Sequence, residues 1–424
     1  MPWRRPDQPS PRRGLLPAAA LVALSTCACV TATTATAGVL PRPVGATRAT
    51  AVDQDRDGLS DRAELGATAV ARPSLTPLTT ALARRRSQPV RLLFLGSSTT
   101  YGVGASSPAA RFVDQVVARL QETFPAGDSA PPPTRDLKDS TDRPDEKPGV
   151  QGINGAVGGS TAATYFTDAH DYAVRVVQPA CVVHMIGSND AVARVPAATF
   201  VAQVEAVLRR IDAASARLPC HVLLQPVRRY QVSLEVWQGY RDALQQLAVR
   251  LPRVTFIDVG STFEAHDALG ADPEDLIGPD AVHLTDAGHA LLARTVGDAL
   301  DLTRRGLGTG TDPRRPDTDR DSIADGREVR GYVVRQRVLT CSGAVRLRLR
   351  TASVPYLEDT DGDTVTDRRE VRGYRLTDGR LVRTDPADPD TDRDGRTDGR
   401  EATRPGADPT TCAAGRAGRT AHQP

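Results

Sequence analysis

An apolar run that ends in a hydroxyl-rich turn constrains the fold more than any other stretch of the sequence. Four consecutive apolar residues, 92–95, are closed by Gly96 and followed by Ser97 and Ser98. The next segment, RFVDQVVARL, has its apolar residues at helical spacing. An apolar run of this length that feeds an amphipathic helix is typical of a parallel strand buried on both faces. The turn is therefore expected at the carboxyl end of the strand, where open α/β sheets place their chemistry.

The alternation of strand and helix continues along the chain. We predict strands at 90–96, 150–154, 181–187, 221–226 and 254–258, and helices at 109–123, 160–176, 197–216, 233–250 and 285–302. This order predicts an α/β domain in which a parallel sheet is covered by helices on both faces. The Pro-rich segment 124–148 interrupts the pattern and is interpreted as a surface insertion.

Ser98 is the candidate nucleophile. A serine hydroxyl reacts slowly unless a base removes its proton and a carboxylate orients that base. Asp280 and His283 supply such a pair three residues apart, just before the helical stretch LTDAGHALLARTVGDAL. Asn189 follows another apolar run and a glycine, so its side-chain amide is a candidate donor to an oxyanion.

Four sequence blocks together resemble the SGNH, or GDSL-type, serine hydrolases. They are Gly96-Ser97-Ser98, the segment 154–159, the segment 187–190, and Asp280-x-x-His283. Ser97 stands where the best-known signature of the family has aspartate, and Ala156 stands where the second block often has glycine. The resemblance covers about residues 88–304.

This resemblance implies a flavodoxin-like three-layer α/β/α domain that needs no cofactor for catalysis. It implies a catalytic triad of Ser98, Asp280 and His283. The implied oxyanion donors are the backbone N–H of Ser98, the turn at Gly155 and Ala156, and the Asn189 side chain.

The first residues have the pattern of an export signal. Arg4, Arg5, Arg12 and Arg13 precede an apolar stretch, and small residues at 35–37 suit cleavage before Gly38. We predict a signal peptide at 1–37 and a secreted protein without a transmembrane segment in the mature chain. Plain secretion ranks above a twin-arginine signal at 12–13 and above lipoprotein attachment at Cys27 or Cys29.

Four cysteines remain after such cleavage. Cys181 and Cys220 each open a strand-like run and are candidates to meet at the amino ends of neighbouring strands. Cys341 and Cys412 would then pair near the carboxyl end. Four cysteines allow three pairings, and buried free thiols are an equal alternative for the first two.

Aspartates recur in four short windows with the spacing of a calcium-binding loop. Carboxylates at loop positions 1, 3, 5, 9 and 12 converge on a hard cation, and a backbone carbonyl at position 7, from Leu59, Ile323, Val365 or Arg396, completes the shell. The candidate ligands are Asp53, Asp55, Asp57, Asp61 and Glu64 in loop 1; Asp317, Asp319, Asp321, Asp325 and Glu328 in loop 2; Asp359, Asp361, Asp363, Asp367 and Glu370 in loop 3; and Asp390, Asp392, Asp394, Asp398 and Glu401 in loop 4.

These loops resemble thrombospondin type 3 repeats, and residues 312–405 also look like the calcium-binding segment of binary-toxin protective-antigen components. The resemblance implies structural Ca²⁺ and a small, loop-rich calcium-repeat region, with attachment to a cell surface or matrix as a further role. A disordered tail is the alternative, because the composition is rich in Pro, Asp and Arg. We expect loop 1 to pack beside the carboxyl-terminal loops.

The predicted organisation is a signal peptide (1–37), an amino-terminal segment with one calcium-type loop (38–87), a hydrolase domain (88–304) and a calcium-repeat region (305–424). A formal net charge of +2 argues against a nucleic-acid partner. We expect a serine ester hydrolase whose substrate is a lipid, a small acyl ester or an acylated carbohydrate. The alternative is a calcium-dependent adhesive or scaffolding protein with a vestigial hydrolase domain.

Overall fold

The buried apolar runs become the strands of a six-stranded parallel sheet in the computed structural model of the chain. The structure describes residues 52–412 except 128–129, 138–144 and 269–274. The sheet consists of β1 (Pro89–Gly96), β2 (Arg135–Asp136), β3 (Gly149–Asn154), β4 (Cys181–Met185), β5 (Cys220–Gln225) and β6 (Val254–Asp258). Short strands follow in the carboxyl-terminal region: β7 (Tyr332–Val334), β8 (Val338–Leu339), β9 (Val345–Arg346), β10 (Leu349–Thr351), β11 (Tyr374–Arg375) and β12 (Leu381–Val382).

Helices alternate with these strands and cover both faces of the sheet. Those before and within the hydrolase region are α1 (Asp61–Leu65), α2 (Ala67–Ala71), α3 (Thr76–Ala83), α4 (Ser98–Tyr101), α5 (Phe112–Thr123), α6 (Asp168–Val177), α7 (Ser188–Val192), α8 (Ala197–Ala214), α9 (Leu234–Arg250), α10 (Val259–Ala268) and α11 (Asp286–Leu300). Each of the last three calcium-type loops ends in a short helix: α12 (Asp325–Arg330), α13 (Asp367–Arg372) and α14 (Asp398–Ala402).

The two faces of β1 contribute to two separate apolar cores. Leu92 and Phe94 pack in one core with apolar residues of α3, α5 and α11. Leu93 and Leu95 pack in the other with residues of α6, α8 and α9. Because alternate residues of a strand point to opposite faces, this arrangement gives the predicted three-layer α/β/α architecture.

The strand order places a crevice at the carboxyl ends of β1 and β4. The order across the sheet is β2-β3-β1-β4-β5-β6, and every neighbouring pair is parallel. Without the two-residue edge strand β2, this is the flavodoxin-like order, so the predicted fold class is confirmed. The order reverses between β1 and β4, and open α/β sheets bind their ligands at such a point. Ser98 follows β1, and Asn189 follows β4.

The predicted helix at 160–176 begins later than expected, at Asp168. Thr167 caps it in a reciprocal arrangement with His170. The preceding residues, 155–167, form a loop at the crevice. Helices α1 to α3 and α10 and the short strands of the carboxyl-terminal region have no counterpart in the predicted elements.

The four cysteines of the predicted mature chain form two disulfides. Cys181 and Cys220 are register partners at the starts of β4 and β5 and are bonded to each other. Cys341 is bonded to Cys412, near the carboxyl end of the described chain. The sequence suggested these pairings but left all three possible ones open, with free thiols as an equal alternative for Cys181 and Cys220.

The described residues form one compact unit, and the predicted boundaries at 87/88 and 304/305 stay predictions. The predicted signal peptide at 1–37 lies outside the described residues. Among the helices that the structure describes, none combines the length and the apolar character needed to cross a membrane.

Candidate active site

Ser98 stands at the first turn after β1. The chain leaves the strand at Gly96, Ser97 is extended, and Ser98 begins α4. Gly96 is required here, because a side-chain carbon at this position would lie 2.4 Å from the carbonyl oxygen of Met185 on β4. The tight approach of the two strands therefore fixes where the Ser98 hydroxyl emerges.

His283 reaches Ser98 from a turn that precedes α11. Its Nε2 lies 2.9 Å from Ser98 Oγ, and its Nδ1 lies 2.5 Å from Asp280 Oδ2. Since a carboxylate only accepts hydrogen bonds, Nδ1 carries the proton, and Nε2 accepts the hydrogen bond from the Ser98 hydroxyl. The three side chains form one continuous hydrogen-bonded line.

The backbone around this turn holds the pair in place. The Gly278 N–H donates to the His283 carbonyl at 2.7 Å, and Ala281 adopts a left-handed conformation with φ of 56°. Hydrogen bonds from the backbone N–H and the imidazole of His283, followed by the N–H of Val282, lower the pKa of Asp280 to about 2. Asp280 is therefore a carboxylate at any ordinary pH, which favours the orientation of the imidazole in which Nε2 faces Ser98.

Asn189 lies on the other side of the crevice, in α7. One N–H of its side chain donates to the Ser160 carbonyl at 2.7 Å, which leaves the second N–H for another acceptor. Its neighbour Asp190 is buried, and its carboxylate accepts from the Ala162 N–H at 2.9 Å. These contacts join the loop after β3 to the loop after β4.

The structure corrects the predicted oxyanion donors at Gly155 and Ala156. The Gly155 N–H continues the strand pairing and donates to the Phe94 carbonyl at 2.8 Å. The Ala156 N–H donates to the Asn154 side chain at 3.2 Å. Both groups are therefore already engaged within the fold.

A later glycine of the same loop presents a free N–H instead. The Val157 N–H and the Ser160 hydroxyl both donate to the Gly96 carbonyl, so the turn between them lies beside the nucleophile loop. Gly159 in that turn is exposed, has φ of 76°, and its N–H has no acceptor within the described residues. The pair Gly158-Gly159 was the sequence signal for this turn.

Three of the other histidines have structural partners. His170 Nε2 donates to the Gly155 carbonyl at 2.7 Å and so fixes the start of the loop after β3. His184 and His221 are buried and lie 3.1 Å apart, between Nε2 and Nδ1. Burial lowers the pKa of His184 well below its ordinary value, so its imidazole is neutral. Both residues therefore belong to the core of the domain.

The four aspartate loops share one backbone conformation. Position 6 has a left-handed φ in every loop, although Ser322 and Thr364 replace Gly58 and Gly395 there. The carboxylates at positions 1, 3 and 5 bring an oxygen each within 4.8 Å of the others in all four loops. The N–H at position 7 donates to the carboxylate at position 5 in each loop, for example from Leu59 to Asp57 at 2.6 Å.

Buried carboxylate oxygens in these loops lack hydrogen-bond donors, which fits a bound cation. Oxygens without a donor are found at position 12 of all four loops and at position 3 of all four, in Glu64, Glu328, Glu370, Glu401, Asp55, Asp319, Asp361 and Asp392. Burial, opposed in part by hydrogen bonds and reinforced by neighbouring carboxylates, raises the pKa of Glu64 to about 8 and that of Glu328 to about 9. Such groups are costly unless a cation pairs with them, so the donor set suits Ca²⁺.

The aspartates at position 9 are placed differently from the prediction. Asp325, Asp367 and Asp398 each accept hydrogen bonds through both oxygens from the backbone N–H and hydroxyl of the threonine at position 2 of their own loop. Asp61 accepts from the Gln54 N–H at 2.9 Å. These residues stabilise the loops and are outside the groups formed by positions 1, 3 and 5. Asp367 also lies within 4.8 Å of Asp321 and Glu328 of the preceding loop.

Loop 1 packs against loop 2, as expected, although the whole hydrolase region separates the two loops in the sequence. Asp57 Oδ2 accepts from the Gly326 N–H at 2.5 Å, and the Thr311 hydroxyl donates to Glu64 at 3.1 Å. Loops 3 and 4 repeat the first contact, since Asp363 accepts from the Gly399 N–H at 2.7 Å. The loops therefore stack in order.

Protein-family models match both the hydrolase region and the calcium-repeat region of the chain. Residues 94–291 match the GDSL-like Lipase/Acylhydrolase family, and residues 316–346 and 358–403 match the Clostridial binary toxin B/anthrax toxin PA Ca-binding domain. No curated protein sequence matches the chain.

Similar solved structures include three esterases or lipases. The lipase Lip_vut3 from a goat rumen metagenome is 16% identical over 51% of this chain and 99% of its own, with a TM-score of 0.37. A two-domain esterase (CEX) active on acetylated mannans is 19% identical over 65% and 69%, with a TM-score of 0.40. Axe2, an acetylxylan esterase from Geobacillus stearothermophilus, is 19% identical over 50% and 94%, with a TM-score of 0.35.

The family match covers the segments that carry Ser98, Asn189 and His283, and the second match covers loops 2 to 4. The chain therefore carries a segment that matches the GDSL-like lipase/acylhydrolase family model, followed by segments that match the toxin Ca-binding domain model.

Proposed function

We propose that the protein hydrolyses carboxylic esters with Ser98 as nucleophile, His283 as general base and Asp280 as the group that orients His283. The observation that carries this proposal is the unbroken line of hydrogen bonds from Asp280 through His283 to Ser98. The proposed substrate is a lipid, a small acyl ester or an acylated carbohydrate.

The contacts support a two-step acyl transfer. His283 Nε2 takes the proton as Ser98 Oγ attacks the ester carbonyl, and His283 then returns it to the leaving alcohol. Water, activated by the same imidazole, attacks the acyl-enzyme and releases the acid, with Ser98 regaining its proton.

Three donors are proposed for the oxyanion that forms in each step. They are the backbone N–H of Ser98, the second side-chain N–H of Asn189 and the N–H of Gly159, which replaces the turn at Gly155 and Ala156 in this role. Each donor of this kind typically contributes ~3–4 kcal/mol to the transition state.

Hydrolysis of short-chain nitrophenyl esters by the Ser98→Ala and Ser97→Ala variants tests the proposal. Loss of Ser98 is expected to lower kcat by roughly 10⁶. Ser97→Ala keeps the fold and the triad and serves as the matched control, so it is expected to retain most of the activity. Equal activity of Ser98→Ala and the parent protein would contradict the mechanism and favour the vestigial alternative.

We further propose that the four loops hold structural Ca²⁺ through positions 1, 3, 5 and 12 and the carbonyl at position 7, and that the protein is secreted. The unpartnered buried carboxylates support the first point. The two disulfides support the second, because such bonds persist in oxidising compartments. Amino-terminal sequencing of the exported protein tests cleavage before Gly38.

A further inference from the structure

One segment of the calcium-repeat region departs sharply from the near-neutral chain. Residues 329–357 contain six arginines and no aspartate or glutamate. Arg330 is engaged with loop 1, since its guanidinium donates to the Gly58 carbonyl at 2.9 Å. The other five make no ion pair with any residue in the described ranges: Arg335, Arg337, Arg346, Arg348 and Arg350.

These arginines lie on the hairpin 332–351, called the arginine hairpin below. Strand β7 pairs with β10 and strand β8 pairs with β9, both antiparallel. Val334 and Leu349 are register partners and are buried, whereas their neighbours Val333 and Arg350 are register partners and are exposed. The hairpin therefore has a packed face and a solvent face. Arg346 is the register partner of the buried Val338 and is half-buried, and the other four arginines without an ion pair are exposed: Arg335, Arg337, Arg348 and Arg350.

Aliphatic side chains are exposed among the arginines. Val333 is 45% exposed, Val345 is 51% exposed, and Leu347 is 64% exposed. A soluble polyanion offers nothing to such groups. The headgroup region of a bilayer does, because guanidinium groups pair with lipid phosphates while aliphatic side chains enter the boundary with the acyl chains.

The arginine hairpin is fixed to residues 410–412 by a disulfide and by backbone hydrogen bonds. Cys341 near its tip is bonded to Cys412, and Leu339 exchanges backbone hydrogen bonds of 2.8 Å with Thr410 and Cys412. A surface that is already ordered loses little conformational entropy on binding, so its contacts contribute more fully to affinity.

We propose that the arginine hairpin binds the surface of a bilayer that contains anionic phospholipids. The charge of the segment, the absence of internal ion partners and the exposed aliphatic residues together select this occupant. The binding is independent of the ester-hydrolysing site, which lies on the main sheet.

Co-sedimentation of the purified protein with vesicles tests the proposal, with phosphatidylcholine alone compared with phosphatidylcholine containing phosphatidylglycerol, at a fixed saturating calcium concentration. The test variant carries Arg346→Gln, Arg348→Gln and Arg350→Gln. A basic residue near an anionic surface contributes about fivefold to affinity, so the triple variant is expected to bind roughly 100-fold more weakly. The matched control removes the same charge from exposed positions outside the arginine hairpin, through Arg175→Gln, Arg294→Gln and Arg305→Gln.

Leu347→Ser separates a bilayer from a soluble polyanion. The substitution is expected to weaken vesicle binding several-fold and to leave binding to soluble polyphosphate unchanged. The proposal is overturned if the protein binds both vesicle types equally, if the control triple loses as much affinity as the test triple, if polyphosphate alone is bound, or if Leu347→Ser leaves vesicle binding intact.

Discussion

Removing calcium is expected to destabilise the hydrolase domain itself, and not only the carboxyl-terminal loops. Loop 1 leads through α1 and α2 into α3, whose Leu78 and Leu82 are fully buried in the core that also contains Phe94. After the hydrolase region the chain passes the end of α3 again at Gly310, whose carbonyl accepts a hydrogen bond of 2.8 Å from the Arg84 guanidinium. Loops 1 and 2 are therefore connected to the core of the sheet, loop 1 through the packed helix α3 and loop 2 through the hydrogen bond at Gly310.

The expected magnitude follows from the number of sites that join the two regions. A ligand present at 100 times its dissociation constant stabilises the folded state by about 2.7 kcal/mol per site. Loops 1 and 2 together would contribute about 5 kcal/mol, which is a large part of the 5–15 kcal/mol typical of a folded domain. For a domain of this size the loss corresponds to a decrease in Tm of roughly 10–20 °C.

Fluorescence of Trp237 is a suitable assay. The chain has two tryptophans, and the other, Trp3, lies in the predicted signal peptide. Trp237 is buried in a core of the main sheet, so its emission reports unfolding of the hydrolase rather than of the loops. Urea and thermal unfolding are compared in excess calcium and in excess chelator.

Two single substitutions locate the effect. Asp57→Asn removes a ligand at position 5 of loop 1 and weakens the contact with Gly326, so it is expected to reproduce about half of the loss. Asp394→Asn makes the equivalent change in loop 4, which has no following loop to contact, and is expected to leave the Trp237 transition unchanged. An identical Trp237 transition with and without chelator would refute this reasoning.

Three other outcomes are expected. Calcium-free protein should become less stable as the pH rises from about 5 to 9, because burial is the main cause that raises the pKa of Glu64 to about 8 and that of Glu328 to about 9. A carboxyl group whose pKa is higher in the folded state contributes stability at low pH, and that stability is lost as the pH rises through the folded-state pKa. Urea unfolding measures the trend, and excess calcium should abolish it. Asn189→Ala should lower kcat by roughly 10²–10³ with little change in KM, as the loss of one oxyanion donor does, and a change in KM alone would assign Asn189 to substrate binding. Replacing Cys181 and Cys220 by serine should lower the free energy of unfolding by about 4 kcal/mol, from the entropy of a loop closed between residues 39 positions apart, and an unchanged urea midpoint would contradict that expectation.

The sequence predicted best those elements whose burial is encoded locally. Strands β1, β5 and β6 were placed to within a residue or so. The first two are short runs buried along almost their whole length, and β6 is a half-buried strand at the edge of the sheet. Helix α6 was predicted to begin at 160, but residues 155–167 form the loop beside Gly96. Contacts with β1, which is distant in the sequence, determine the conformation of that loop. Helix α10 begins at Val259, directly after β6 ends at Asp258, so no connecting segment separates the two elements in the sequence.

The candidate site shows the same division. Residue types and spacing were enough to select Ser98, Asp280 and His283, which the structure brings into contact. The proposal for the oxyanion donors depends on which N–H groups the sheet leaves unused, and the pairing of Gly155 with Phe94 is not visible in the sequence. In the loops, the threonine at position 2 engages the aspartate at position 9, a contact that the spacing of carboxylates does not reveal.

The contact between loops 1 and 2 joins residues 269 positions apart. In the folded state this contact fastens the beginning of the hydrolase region to its end without a covalent bond, so it is lost when the chain unfolds and, unlike a disulfide, does not restrict the unfolded chain. Because we propose that loops 1 and 2 hold calcium, we expect the concentration of that ion to control how firmly the two ends of the region are joined.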